Sequence, residues 1–274
     1  MKTTKLLYTL AVLFLLVSCS EKDSPRPEPE PIKKYLLYKK TSDISLADGT
    51  TKTINWDYIY DKDNKLSRID ALSKKGAEST NLGSIMEHDD RGRLTLVRDQ
   101  TGRDVRLSYE GSSNLPSMVR VLVDGETPIV HLNKFNTLGR LTEQKIYAGE
   151  VLEENLQEIL TLSYGKANQV SLRRTSASGQ VYQEASITTD DRNRPTPVYP
   201  DHVSMNSISS EISIESLITE HNVTAYEIIT FYSGAVDNSF TSTYTYNQDG
   251  YPTASTRTYK SGDVERITYD YLVK

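Results

Sequence analysis

A short repeated phrase organises this chain of 274 residues. Each copy has an aromatic or apolar anchor, then Asp, Asn or Gly, two variable residues, Gly or Asn, a polar residue and an apolar residue. A phrase that returns every 20 to 30 residues or so predicts one small structural unit stacked many times. The clear and weaker copies are Tyr60–Leu66, His88–Leu94, Tyr109–Leu115, Phe135–Leu141, Tyr164–Val170, Thr189–Pro195 and Tyr246–Pro252.

The composition of the phrase is that of a tight turn. An Asp or Asn in second place can accept hydrogen bonds from the backbone two residues further on, which starts a turn. Gly or Asn in fifth place tolerates the positive φ that closes a hairpin with a type I turn and a bulge. The phrase therefore predicts hairpins. Gly or Asn occupies fifth place in all copies but the one with Ser113, namely as Asn64, Gly92, Gly139, Asn168, Asn193 and Gly250.

A second turn lies between consecutive phrases and contains Gly76, Gly102, Gly125, Gly149, Gly179, Gly234 or Gly262. The segments between turns alternate polar and apolar residues, as in residues 266–271, which is the period of a half-buried strand. Residues 35–274 are thus predicted to form a single all-β domain, an up-and-down antiparallel meander of about 14–16 strands. Since an open sheet rarely exceeds about 10 strands, this sheet should curl or close into a barrel.

One long gap between phrases predicts an irregular or helical insert near 196–222. Pro195, Pro197 and Pro200 exclude a central strand there. The apolar pattern from Met205 to Ile218 fits a short helix and an alternating strand about equally well. We favour a helix that plugs or caps one end of the barrel.

The first 18 residues are typical of a bacterial export signal. Lys2 and Lys5 precede an apolar stretch that is too short to span a bilayer, and Leu16-Val17-Ser18-Cys19 follows. This last phrase resembles the lipobox of bacterial lipoproteins. The resemblance implies that the signal is removed, that Cys19 becomes the first residue, and that its thiol carries acyl chains such as palmitate. Lipidation at Cys19 also explains a chain with a single cysteine.

Residues 19–34 are predicted to be a tether. Prolines at 25, 27, 29 and 31 favour extended polyproline II, and a disordered linker would serve equally well as a spacer. The acidic residues after Cys19, interrupted by Lys22, resemble the surface-export signal of Bacteroidetes lipoproteins. We therefore expect attachment to the outer membrane with the domain facing the cell surface, while a periplasmic orientation remains open.

The repeat itself has two family resemblances. The segments His88–Thr95 and Phe135–Thr142 resemble the Tyr-Asp repeat of Rhs-type proteins, whose strands spiral into a much longer shell. In length, lipobox, tether and repeat, residues 35–274 resemble a Bacteroidetes lipoprotein family of unknown function with a porin-like fold. That resemblance implies a water-soluble, barrel-like body and no assigned activity.

No motif in the chain indicates catalysis or a cofactor. The four histidines, at 88, 131, 202 and 221, are too scattered for a metal site, and His88 occupies an anchor position, which predicts packing. Residues 61–64 resemble the start of a calcium loop but lack its later glycine and glutamate. The pair Glu153-Glu154 could serve glycoside hydrolysis, although a solvated turn is the simpler interpretation.

Tyrosines spaced two apart form a further candidate surface. The pairs 58/60, 244/246 and 269/271 each share one face of a strand. Side by side they could bind a glycan or a peptide, but we favour cross-strand packing.

Charge and compartment then restrict the function. The net charge is −5, and it becomes −7 once the two lysines of residues 1–18 are removed, so nucleic acid is not an expected partner. We expect a lipid-anchored, non-catalytic protein that binds a glycan or peptide ligand or assists envelope assembly. A glycan hydrolase with carboxylates in the barrel mouth is the alternative. A membrane pore is the least favoured, because residues 91–106 place charged groups on both strand faces.

Overall fold

The computed structural model describes residues 34–166, 168–195, 221–231 and 237–274. Tyr35–Lys274 forms one compact unit. Its described part contains sixteen strands and a single turn of 3-10 helix at Glu153–Asn155. The strands are β1 Tyr35–Ser45, β2 Thr51–Tyr60, β3 Leu66–Lys75, β4 Glu78–His88, β5 Leu94–Asp99, β6 Asp104–Tyr109, β7 Pro116–Leu122, β8 Ile129–Phe135, β9 Leu141–Ala148, β10 Leu156–Tyr164, β11 Gln169–Ser176, β12 Val181–Thr189, β13 Val223–Phe231, β14 Phe240–Tyr246, β15 Pro252–Tyr259 and β16 Val264–Val273.

Each strand pairs antiparallel with the next along the chain, and β1 pairs with β16 to close a barrel. The predicted all-β meander is therefore confirmed, with sixteen strands and full closure. Closure satisfies the two edges that an open sheet would expose. The insert predicted near 196–222 lies outside the described residues, apart from its last two.

The repeated phrase forms the turns at one end of the barrel, which we call the motif end. In the copy at Asp89, the carboxylate accepts hydrogen bonds from the backbone N–H groups of Arg91 and Arg93, while the N–H of Gly92 bonds to the Asp89 carbonyl. Gly92 has φ +80°, as the predicted type I turn with a bulge requires. The fifth-position residues at 64, 139, 168 and 250 also have positive φ. Asn193 does not, so that part of the prediction was wrong.

Neighbouring repeats are joined by their tyrosines. The hydroxyl of Tyr109 donates to the carbonyl of Leu94, the seventh residue of the preceding phrase, and Arg93 lies 4.5 Å from the Tyr109 ring centre. Tyr164 repeats this arrangement with Leu141 and Arg140. The anchor tyrosine of one phrase therefore packs under the Arg of the preceding phrase and donates a hydrogen bond to the backbone of its Leu.

The inner face of the barrel is packed with side chains. A round barrel of sixteen strands leaves a water-filled channel. Here the inward side chains are almost completely buried and form two separate apolar clusters, one from β1–β7 and the other from β9–β14. Opposite walls must therefore approach each other, and each half of the sheet curls around its own core.

Candidate functional site

Polar side chains occupy the inner face where the two apolar clusters meet. The first boundary lies around β8, where His131 and Asn133 point inward two residues apart and Gln144 of β9 pairs with Asn133. The second boundary lies around β16 and β1, where the Ser42 hydroxyl donates to Glu265 at 2.5 Å. These buried polar groups, rather than a cleft, form the candidate site.

The first boundary has a connected set of amides. The Gln144 amide nitrogen donates to the Asn133 side-chain oxygen at 2.9 Å, and the Asn133 nitrogen donates to the Pro116 carbonyl at 2.9 Å. Gln144 lies close enough to favour protonation of His131, yet neither ring nitrogen of His131 is placed to complete a hydrogen bond. Burial, helped by the charges of Arg103 and Arg174, lowers the pKa of His131 to about 4. The ring is neutral at physiological pH.

Charged groups from three further elements surround this layer. Arg174 of β11 forms an ion pair with Glu158 of β10, with 3.3 Å between Nη1 and Oε1. Burial and a hydrogen bond to Glu158 raise the pKa of Tyr182. Arg103 comes from the turn before β6, and its side chain approaches His131 closely enough to lower the pKa of the imidazole.

The strand register explains why these residues meet. Along one cross-strand row, Asn133 pairs with Gln144, Gln144 with Leu160, and Leu160 with Arg174. The adjacent row connects His131 to Ile146. Since alternate residues share a face, all of these point into the barrel.

The second boundary is a hydrogen-bonded network around Glu265. Glu265 accepts from Ser42 and from the Tyr259 hydroxyl, the latter at 3.1 Å. Arg257 pairs with Glu265 in the register of β15 and β16 and stacks on Phe240 at 3.9 Å. This set is typical of a hydrogen-bonded structural network, because the Glu265 carboxylate accepts hydrogen bonds from two hydroxyl groups.

The residues singled out from the sequence lie elsewhere. His88 is partly buried at the end of β4, and its packing role stays a prediction. The Asp61 carboxylate is engaged by the backbone N–H groups of Asp63 and Lys65, so the resemblance to a calcium loop is a turn. Glu153 and Glu154 lie exposed in the 3-10 turn. Within the described ranges, no three His, Cys, Asp or Glu side chains are grouped to hold a metal ion.

The tyrosine pairs pack rather than form a platform. The hydroxyls of Tyr60, Tyr244 and Tyr271 donate to the backbone carbonyls of residues 37, 223 and 252. Tyr246 donates to Asp190, and Tyr58 is buried. The favoured packing interpretation is confirmed, because Tyr60, Tyr269 and Tyr271 pack against the first apolar cluster and Tyr244 stacks on Tyr246.

Sequence reasoning missed His131, Asn133 and Gln144. A signal for the first two was present, since counting back in steps of two from the anchor Phe135 gives the inward positions 133 and 131. Polar residues at both positions depart from the apolar pattern of the other repeats, such as Leu160 and Leu162 before Tyr164. Cys19 and residues 196–220 lie outside the described residues.

The outer face of the barrel is polar over β10–β12 and carries isolated exposed apolar side chains elsewhere, such as Ile59 and Ile85. On the central part of β10–β12 it carries Thr161, Ser163, Ser171, Arg173, Glu184 and Ser186. Directly paired residues on neighbouring strands form ion pairs there, such as Arg98 with Asp104 and Arg173 with Glu184. A barrel that crosses a bilayer needs an outward apolar band. None of the described helices has the length and apolar character to cross a membrane.

Comparison with known proteins shows the fold. No protein-family model matches the chain, and no curated protein does. A porin-like protein from Bacteroides uniformis matches with a TM-score of 0.61 at 12% identity, over 86% of this chain and 96% of that one. A porin-like protein from Bacteroides vulgatus covers 87% of this chain and 99% of its own at 13% identity, with a TM-score of 0.33.

The structure of TcdB2-TccC3-TEV also matches, with a TM-score of 0.39 at 12% identity, over 85% of this chain and 11% of that one. At such low identities only the Bacteroides uniformis match carries weight, and it concerns architecture alone. This chain therefore has the closed β-barrel fold of a Bacteroides porin-like protein.

Proposed function

We propose that this chain is a lipid-anchored envelope protein whose barrel lies in water and acts as a non-catalytic binding or assembly module. The observation that carries the proposal is the polarity of the barrel. Its inner face is packed with apolar side chains and its outer face carries paired charges. A membrane pore requires the opposite distribution.

The anchor in this proposal is Cys19. In this proposal the export signal of residues 1–18 and the lipobox direct acylation of Cys19, and residues 19–34 form the spacer. In polyproline II conformation, a dozen residues at about 3.1 Å each would hold the barrel roughly 35–40 Å from the headgroups. The barrel then needs no membrane contact of its own, which agrees with its outer face.

The location that we propose is the outer membrane, with the barrel facing the cell surface. The acidic residues after Cys19 support this orientation. The porin-like description of the Bacteroides uniformis protein supports an envelope location.

The hydrolase alternative has less support. Glycoside hydrolysis needs two carboxyl groups about 5–10 Å apart on either side of the scissile bond, one of them able to donate a proton. Among the described residues, the carboxylates that reach the polar boundaries are Glu158 and Glu265, and each already has a partner on its own side of the barrel. Neither faces a second carboxylate in the contacts that hold it.

Metabolic labelling of the full chain with palmitate tests the anchor. We expect labelled protein whose mature N-terminus is acylated Cys19, and no label in the Cys19→Ala variant. The chain has no second cysteine to label, so the variant is a clean control. Unlabelled protein with a free thiol at Cys19 would exclude lipid anchoring.

Binding is tested separately with the purified full chain on glycan and peptide arrays. A reproducible ligand would support the binding role. Loss of envelope integrity on deletion of the gene would instead support assembly. An absence of both would count against the non-catalytic role proposed here.

A further inference from the structure

Three basic or potentially basic side chains converge inside the barrel at the first boundary. Arg103, His131 and Arg174 are 8%, 1% and 9% exposed. In the strand register His131 pairs with Ile146 and Ile146 pairs with Glu158, which is the ion-pair partner of Arg174. The positive charges of both arginines also lower the pKa of His131. Such groups are rarely buried in a protein unless each is paired, because burial removes their hydration.

The pairing at this cluster is incomplete. Arg174 has Glu158 as its ion-pair partner. Arg103 has no carboxylate within ion-pair distance among the described residues, and its Nε atom is buried without a hydrogen bond. The two ring nitrogens of His131 are also buried without a hydrogen bond. The cluster therefore carries one positive charge, on Arg103, without a carboxylate partner in the described part of the chain. The Nε of Arg103 and both ring nitrogens of His131 lack hydrogen-bond partners within the same ranges.

The surroundings do not supply the missing charge. Gln144 and Asn133 contribute amides that are already bonded to each other. On the β7 side, Val119 pairs with His131 in the strand register. A buried charge beside neutral amides and apolar side chains is destabilising unless a counter-ion joins it.

We propose that Arg103, His131 and Arg174 bind an oxyanion group, a carboxylate or a phosphate or sulfate monoester. The guanidinium of Arg103 supplies the charge and a planar set of donors suited to such a group. Arg174, which is paired with Glu158, adds positive charge beside this group, and the His131 ring supplies one N–H. Arg103 directly precedes β6 at the end of the barrel opposite the motif end, so the bound group would lie near that end.

This inference rests on the binding role proposed above and names the ligand class. Its failure would leave the lipid anchor untouched, because palmitate labelling of Cys19 tests the anchor independently. A positive result here, with unlabelled Cys19, would show a binding barrel without that anchor.

The test measures thermal unfolding of the purified full chain with acetate, inorganic phosphate or sulfate at constant ionic strength, with chloride as reference. We expect saturable stabilisation by at least one of these anions, and their order distinguishes a carboxylate site from a phosphate or sulfate site. In Arg103→Met the apparent dissociation constant should rise at least tenfold. Arg106→Met, three residues further along in β6 and exposed on the outer face, should match the wild-type chain.

A second measurement covers the case in which Arg103→Met fails to fold. The ring-nitrogen NMR signals of His131 in the wild-type chain, assigned with His131→Gln, should shift as the stabilising anion is added. Unchanged His131 signals, equal binding by Arg103→Met and Arg106→Met, or an absence of saturable stabilisation would each overturn the proposal.

Discussion

The substitution Tyr164→Phe tests the link between neighbouring repeats. It removes one hydroxyl and leaves the ring beneath Arg140, whose guanidinium carbon lies 5.3 Å from the ring centre. The lost hydrogen bond joins the hydroxyl to the Leu141 carbonyl at 2.8 Å. Because Leu141 is fully buried, water cannot replace the donor, and we expect a loss of about 1–2 kcal/mol of stability.

Urea and thermal unfolding, followed by circular dichroism, would measure this loss. For a domain of this size, about 1–2 kcal/mol corresponds to a fall in Tm of roughly 3–6 °C. The matched control is Tyr38→Phe, the same chemical change at an exposed tyrosine on β1, which should alter stability by less than about 0.5 kcal/mol. If the two variants unfold at the same urea concentration, the hydroxyl does not stabilise the repeat.

Three further predictions concern pH and turns. Burial lowers the pKa of His131 to about 4, so the free energy of unfolding that depends on the neutral ring is complete above pH 6.5 and is lost as the pH falls towards 4. Urea unfolding at pH 7 and pH 4.5 should therefore show a loss of up to about 3 kcal/mol in the wild-type chain that is absent from His131→Gln. Burial raises the pKa of Tyr164 and Tyr259 to about 12. The stability that depends on their neutral hydroxyls should therefore be complete below pH 10 and lost between pH 10 and 12. Absorbance at 295 nm should show that these two tyrosines ionise at higher pH than exposed tyrosines. At the turns, Gly139→Ala should cost about 1 kcal/mol or more at φ +76°, whereas Asn64→Gly at φ +59° should be neutral or slightly stabilising in the same unfolding assay. Equal effects of these two substitutions would contradict the backbone argument.

Strand number and closure follow from the sequence because turn chemistry is local. Asp89 and Gly92 specify a hairpin through their own backbone contacts, whatever the rest of the chain does. Once each repeat supplies two strands, the repeats predict about 14–16 strands, and edge pairing favours closure. The anchor tyrosines were recognisable as packing residues by the same alternation.

The division of the interior into two cores could not be predicted, because it depends on contacts between residues that are far apart in the chain. Leu37 and Val97, buried in one cluster, are 60 positions apart in the chain, and no local pattern states which halves of the sheet curl together. The polar boundary depends on that curvature. His131 was dismissed as one of four scattered histidines, because Arg103 and Arg174 approach it only after the barrel closes.

Controlled trypsin digestion of membranes that contain the full chain tests the central claim most directly. Lys22, Lys33 and Lys34 precede the first strand, so cleavage there separates the barrel from the segment that begins at Cys19. A water-soluble barrel on a lipid tether should appear intact in the supernatant without detergent, while the acylated peptide stays with the membrane. A barrel that stays in the membrane pellet after this cleavage, and is extracted only by detergent, would contradict the proposed arrangement.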